Sequence, residues 1–573
     1  MFDVIIQNGD VIDGTGKARR RADVGVSAGR IDAIGDLSSA IASTVIDATG
    51  RVVSPGFVDV HTHFDAQVFW DGALSPSPLH GVTSVFAGNC GFSIAPLSDD
   101  PADAAYLMRM LARVEGMPLE SLRAGVPWNW RTTAEYLDTL EGHLGVNAGF
   151  MVGHSALRRV AMGPQANQRT ATSDEIAVMV RLLRDGLEAG GMGFSSSWAR
   201  THNDMDRRMV PSRYATRGEL LDLCGAVRHH DGTSLEFIPM IDPSFEPWAG
   251  DLMADMSVAS GRALNWNVLL VSSASVAQVE DKLAISDLAA ARGGRVVALM
   301  MPQSFGLRLS FASGFILDSI PGWEETMLLP QAERLTAFRD ESRRRELGER
   351  AASPENMIAE VTDWARQTVF SVASSVNEPY LGRLVGEIAQ EHGRSPWDVI
   401  CEIALADELA TSFGMVVPRG TDEDWKLRSE ICRDERVVVG ASDAGAHLDL
   451  FGTFNYPTVL LAEAVRVRGL LSLEEAVHLL TDRPSRLYGL VDRGRLQEGW
   501  FADVVVLDPE RIDSDELAMR FDLPGGTARL YAGSSGVDHV LVNGVPIVSD
   551  GALTSERPGR VLRSGSDTRT TNR

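Results

Sequence analysis

The sequence predicts an α/β protein: a (β/α)8 TIM-type barrel with a small β-sandwich domain formed by both chain ends. Three observations predict it. From Pro55 onward, short apolar runs alternate with longer helical stretches, the pattern of a parallel sheet covered by helices. Eight such runs follow in one series, which favours a closed barrel over an open sheet. The segments before Pro55 and after Leu496 both read as short strands and turns, which suits one shared β-domain.

Residues 1–54 begin that small domain. Asp3–Ile6 is a strand, followed by the turn Gln7–Asp10, and further strands are expected at Asp23–Val26, Arg30–Ile34 and Thr44–Ile46. Residues 55–496 hold the barrel. Its expected core strands are Phe57–His61, Val82–Phe86, Gly149–Val152, Met192–Ser195, Ser234–Ile238, Leu264–Leu270, Val296–Met300 and Val437–Val439. Helical stretches at Asp103–Glu115, Asp174–Leu187, Arg217–Arg228 and Val276–Ala291 separate them. Between the seventh and eighth strands lies a long insertion at about 302–433, with a charged stretch Asp340–Arg350 and a helical pattern Tyr380–Gln390. It reads either as a loop with its own helices covering the barrel mouth or as a solvated excursion. Residues 497–563 return to strands at Val504–Leu507 and Asp538–Val542 and complete the small domain. The tail 564–573, rich in Ser, Thr and Arg, is expected to be disordered.

Composition narrows the partners. The formal charge is −24, from 78 acidic and 54 basic side chains. Such a surface repels phosphate backbones and anionic lipid, which argues against nucleic acid and membrane partners. Four cysteines in 573 residues, none in a CxxC pair, read as reduced thiols in a cytoplasmic protein. No basic-then-apolar leader opens the sequence, and no apolar run approaches the ~20 residues that span a bilayer.

The chemistry begins at Val58-Asp59-Val60-His61-Thr62-His63. Side chains alternate faces along a strand, so His61 and His63 are expected on one face, with Val58 and Val60 on the other, under the helices. Two imidazoles at the C-terminal end of a barrel strand are placed to chelate one cation. Asp443 ends the eighth strand and its loop, so its carboxylate is expected at the same mouth, as a ligand, a proton acceptor or both.

The segments DVIIQNGDVIDGTG, PGFVDVHTHFD, GNCGFSIAPL, VGHSALRRVAMG, GASDAGAH, TDRPSRLYGL, EGWFADVVVLDP and VNGVPIV resemble the amidohydrolase superfamily, and within it the N-acyl-D-amino-acid deacylase (D-aminoacylase) family. The resemblance runs from Met1 to about Arg563. It implies that His61 and His63 are first-strand metal ligands, that Asp443 is a ligand and general base, and that Cys90 of GNCG is a thiolate ligand. A small buried cysteine is the alternative reading of Cys90. A thiolate points to Zn²⁺ among divalent metals.

One departure stands out. The family takes a histidine from strand five and another from strand six, yet no histidine lies between His230 and His392. Either a second metal is absent or another residue, Glu236 first, replaces a ligand. Asn267 on the sixth strand, His154 after the third, Arg213 after the fourth and His447 four residues past Asp443 are candidates for substrate binding. Arg213 is a possible carboxylate clamp, since guanidinium binds carboxylate bidentately.

The expected function is hydrolysis of a C–N amide bond in an N-acyl amino acid or related small amide, with water activated by one divalent metal and Asp443 as general base. Alternatives are ester, lactone or cyclic-amide hydrolysis, a lyase or decarboxylase, or a non-catalytic homologue. The expected partner is a small-molecule amide, with a homo-oligomer possible.

Overall fold

The computed structural model describes residues 1–240, 244–304, 306–312, 316–356, 358–415 and 419–571. All eight expected core strands are present: β1 Phe57–Asp59, β2 Val82–Ala87, β3 Asn147–Phe150, β4 Gly193–Ser197, β5 Ser234–Ile238, β6 Ala263–Leu270, β7 Arg295–Met301 and β8 Val437–Val439. They form two parallel ladders rather than one continuous ring. The first runs β1–β2–β3, with Val561–Leu562 added beyond β3. The second runs β4–β5–β6–β7–β8. Past Met151, the piece Val152–Gly153 pairs with β4, so the third strand serves both ladders. At the other seam no ladder joins β8 to β1. Backbone bonds link their C-terminal extensions instead: Asp443 N–H donates to His61 (3.1 Å) and His63 N–H to Ala444 (2.7 Å).

The helices lie close to expectation because their caps are written in the sequence. Ser173–Glu188 begins with a capping box, Thr172 and Glu175 bonding each other's backbone N–H. Thr216 caps Arg217–Val227 through Glu219 N–H.

The face assigned to Val58 and Val60 is corrected. Both pack with Val297, Leu299 and Val438, alternating with Val296, Ala298, Val437 and Val439, which join the larger core. Regular pairing ends at Asp59, so strict alternation does not carry through to the histidines. Hydrogen bonds set residues 61–63 instead: Thr62 N–H donates to Phe86 (2.9 Å), besides the two bonds at the seam.

The insertion is no bare excursion. Arg308–Ser310, Thr368–Ser371 and Ser412–Gly414 form an antiparallel sheet, and helices Gln331–Arg339, Glu341–Ala351, Val385–His392 and Pro396–Ala406 pack with it around Phe311, Trp323, Phe338 and Phe413. The two chain ends meet in one nine-stranded sheet, in which Val504–Leu507 lies between Val52–Pro55 and Val537–Val542. The expected turn at Gln7–Asp10 is instead a bulge inside the strand Phe2–Val11, with Asn8 at φ 62°. Asp23 explains it, by accepting the Asn8 N–H at 2.8 Å.

The tail expected to be disordered is ordered as far as Thr571. Thr568 is fully buried and donates to Gly232 (2.6 Å), and Arg569 N–H bonds Gly489 (2.8 Å). Its small polar side chains dock through backbone pairing, which composition does not report. Among the described residues, no helix is long and apolar enough to cross a membrane.

Candidate metal centre

His61 and His63 leave β1 buried, with their Nε2 atoms facing one sulfur. Cys90 Sγ lies 3.5 Å from His61 Nε2 and 3.6 Å from His63 Nε2. Donors each roughly 2.0–2.3 Å from one tetrahedral Zn²⁺ stand about 3.5 Å apart, so this spacing suits a shared cation. The three donors all lie within 4.8 Å of one another. Asp443 stands on the histidine side, its Oδ1 3.2 Å from His61 Nε2 and 3.8 Å from His63 Nε2.

A strained turn presents the sulfur. Cys90 sits at φ 57°, flanked by Gly88 and Gly91 at φ 76° each. Asn89 Nδ2 donates to Thr62 (3.1 Å) and Phe86 (3.0 Å), Asp65 accepts Gly88 N–H (2.9 Å), and Ser195 Oγ accepts Gly91 N–H (3.1 Å). Asp443 itself is held at φ 50°. Non-glycine residues in this region cost energy and cluster at functional sites.

Buried acid surrounds the donors. Glu236 on β5 accepts Cys90 N–H at 2.7 Å, while its Oε1 is buried without a partner. Burial pushes the Glu236, Asp59 and Asp65 carboxyls up to about 7. Burial and then Glu236 push the Cys90 thiol well up. Burial would also raise Asp443, but the bond to His61 together with the charges of His61, His63 and His447 outweighs it and holds the carboxyl at about 2. A cation would reverse the penalties on thiol and carboxylates. The donor set therefore fits a divalent metal.

The candidate residues fall into two groups. Asn267 reaches the centre: its Nδ2 lies 3.2 Å from His61 Nε2 and 3.4 Å from Asp443 Oδ1. His447 comes off the same turn as Asp443, with its backbone N–H on Glu115 O (2.5 Å), and burial lowers its imidazole to about 4. His154 is corrected: it does not face the mouth. Its Nδ1 meets Ser196 Oγ (2.8 Å) and its Nε2 meets Glu219 Oε1 (2.9 Å), so both nitrogens are engaged in a buried network on the helix side. Arg213 spends its Nη1 on Arg200 O, His202 O and Asn203 Oδ1, bracing its own loop.

Sequence reasoning missed Asp59, Asp65, Asn89 and Glu115. The first three stand within or beside the quoted motifs. Glu115 had no local signal, since only the fold brings it to His63.

A model of the amidohydrolase family matches residues 44–307 and 337–548. The chain belongs to the amidohydrolase family. It is 31% identical to a D-aminoacylase of Alcaligenes xylosoxydans xylosoxydans, over 98% of this chain and 97% of that one. A solved D-aminoacylase, studied for one-metal activation and second-metal attenuation of its binuclear centre, superposes with a TM-score of 0.64 at 26% identity, covering 98% of this chain and all of that one. The N-acyl-D-glutamate deacylase of Bordetella bronchiseptica, solved with zinc and a phosphonate mimic of the tetrahedral intermediate, gives 0.65 at 26%, with the same coverage.

Proposed function

We propose that this amidohydrolase cleaves the amide bond of N-acyl amino acids, with N-acyl-D-amino acids the first class to test. The observation that carries the reading is the convergence of His61, His63 and Cys90 on one point with Asp443 beside it. His61, His63, Cys90 and Asp443 would hold one divalent cation, and a thiolate with two imidazoles selects Zn²⁺. Such a cation polarises a carbonyl and acidifies water. Asp443, kept ionised at neutral pH, accepts a proton as water adds and returns it to the departing nitrogen. Asn267, whose Nδ2 reaches Asp443 Oδ1 at 3.4 Å, fixes the carboxylate, and His447 orients the substrate. Glu236 serves as a brace on the Cys90 backbone rather than as a ligand, which leaves the centre mononuclear.

The finer architecture follows the same reading. The bonds between residues 61–63 and 443–444 support a closed barrel over 55–496, and the core of Val4, Val24, Val53, Val504 and Leu541 supports a sandwich closing on itself from 1–54 and 497–563. Four free, buried cysteines support a cytoplasmic location.

The test is product analysis with N-acetyl-D-amino acids, scoring free amine and acetate. Asp443→Asn should fold and turn over at least ~10²-fold more slowly, the lower end for losing a general base, with metal content measured alongside because Asp443 is also a donor. A folded, metal-loaded variant within a few-fold of the parent rate would contradict the assignment.

A further inference from the structure

Glu115 lies outside every motif, yet two contacts tie it to the centre. It follows the helix Pro101–Val114 and closes it with its N–H on Leu111 (3.0 Å). Its side chain is almost wholly buried, and Oε1 stands 3.5 Å from His63 Nδ1. The other ring nitrogen of His63 faces Cys90 at 3.6 Å. The carboxylate and the sulfur thus address opposite nitrogens of one imidazole.

An imidazole that offers Nε2 to a cation carries its proton on Nδ1, and that proton needs an acceptor. Among the described residues nothing hydrogen-bonds His63 Nδ1. Glu115 Oε1 is the oxygen facing it, at 3.5 Å, and a slight closure makes the bond. Burial, then Asp443, push the Glu115 carboxyl well up, and a bound cation would draw it back down. The backbone of Glu115 makes the second contact. Its carbonyl accepts His447 N–H (2.5 Å), and Gly116 packs so closely that an added Cβ would stand 3.3 Å from His447 Cα. One residue therefore grips the first-strand ligand with its side chain and the turn carrying Asp443 and His447 with its main chain.

We propose that Glu115 is a positioning residue: its carboxylate fixes the His63 tautomer and orientation, so cation affinity depends on a residue outside the donor set. The proposal rests on the metal reading above. Loss of a carboxylate partner behind a ligating histidine weakens metal affinity ~10–100-fold. Glutamine, nearly isosteric, keeps a neutral acceptor, whereas alanine removes it.

The experiment uses the full chain as parent, Glu115→Gln, Glu115→Ala, His63→Ala and the His63→Ala/Glu115→Gln double variant. Zn²⁺ affinity is measured by competition with a chelator, ligand geometry by the visible spectrum of the Co²⁺ form, and fold by thermal melting without metal. Glu115→Gln should melt like the parent, bind Zn²⁺ ~10-fold more weakly and shift the Co²⁺ bands, with Glu115→Ala weaker still. In the His63→Ala background Glu115→Gln should cost nothing further, because the residue acts through His63. Affinities within about threefold of the parent in both single variants would overturn the proposal, as would an undiminished effect in that background. A parent that binds no Zn²⁺ would remove the metal reading together with this one.

Discussion

Two buried histidine–carboxylate clusters sit on opposite sides of the strand layer. On the helix side, both nitrogens of His154 are bonded, and Glu219 also takes Arg158 Nη1. Burial alone would raise Glu219, but His154 and Arg158 outweigh it and hold it below the usual carboxylate range. At the strand ends, His61 Nδ1, His63 Nδ1, Asp59 Oδ2, Asp65 Oδ1, Asn89 Oδ1, Glu236 Oε1 and Asn267 Oδ1 are buried without hydrogen-bond partners. Buried polar groups are nearly always paired in native proteins. Of the His154, Glu219 and Arg158 polar atoms only Glu219 Oε2 lacks a partner, whereas the second cluster leaves seven atoms unpartnered, among them oxygens that a bound cation would draw on. Burial and residue type are alike in the two, so satisfaction separates structure from function here.

The contrast predicts opposite phenotypes. The largest effect is on stability in the helix-side cluster. Glu219→Ala leaves Arg158 buried without its carboxylate, which costs about 3–5 kcal/mol. Denaturant unfolding should show this loss while metal content stays at the parent level. Metal loss at equal stability would merge the two clusters into one.

In the open cluster the order reverses. Cys90→Ala should lose more metal affinity than the ~10–100-fold expected for outer partners, with little change in melting without metal. Full metal content would return Cys90 to core packing.

A third histidine sharpens the comparison at smaller scale. His80 is saturated by Thr458 Oγ1 (2.8 Å) and Ala532 O (3.2 Å), and burial lowers it from 6.5 to about 4. As pH falls from 6.5 toward 4, the unfolded chain takes up a proton that the folded chain refuses. Stability therefore falls through that window, by about 1.4 kcal/mol per pH unit at most, and levels off below it. His80→Gln should flatten this slope in pH-dependent melting, and an unchanged slope would assign the dependence elsewhere.

How much the sequence disclosed follows the range of the forces involved. The eight core strands, the capped helices and the β-rich ends were legible because period, caps and turns are local. The bulge at Asn8 was not, since it depends on Asp23, nor was the docked tail, which depends on Gly232 and Gly489. The site divides in the same way. His61, His63, Cys90 and Asp443 stand in compact motifs and meet in space. His154 stood in an equally persuasive motif, but strand parity sends Ser196 and its partner His154 outward. Glu115 was invisible because its importance is a contact with His63 that only the fold makes.

The most direct test is elemental analysis of exhaustively dialysed protein, for the parent, the His61→Ala/His63→Ala variant and His154→Ala. One equivalent of divalent metal per chain is expected in the parent and in His154→Ala, and none in the double variant. A parent without metal, or a double variant that keeps the parent's content, would contradict the account.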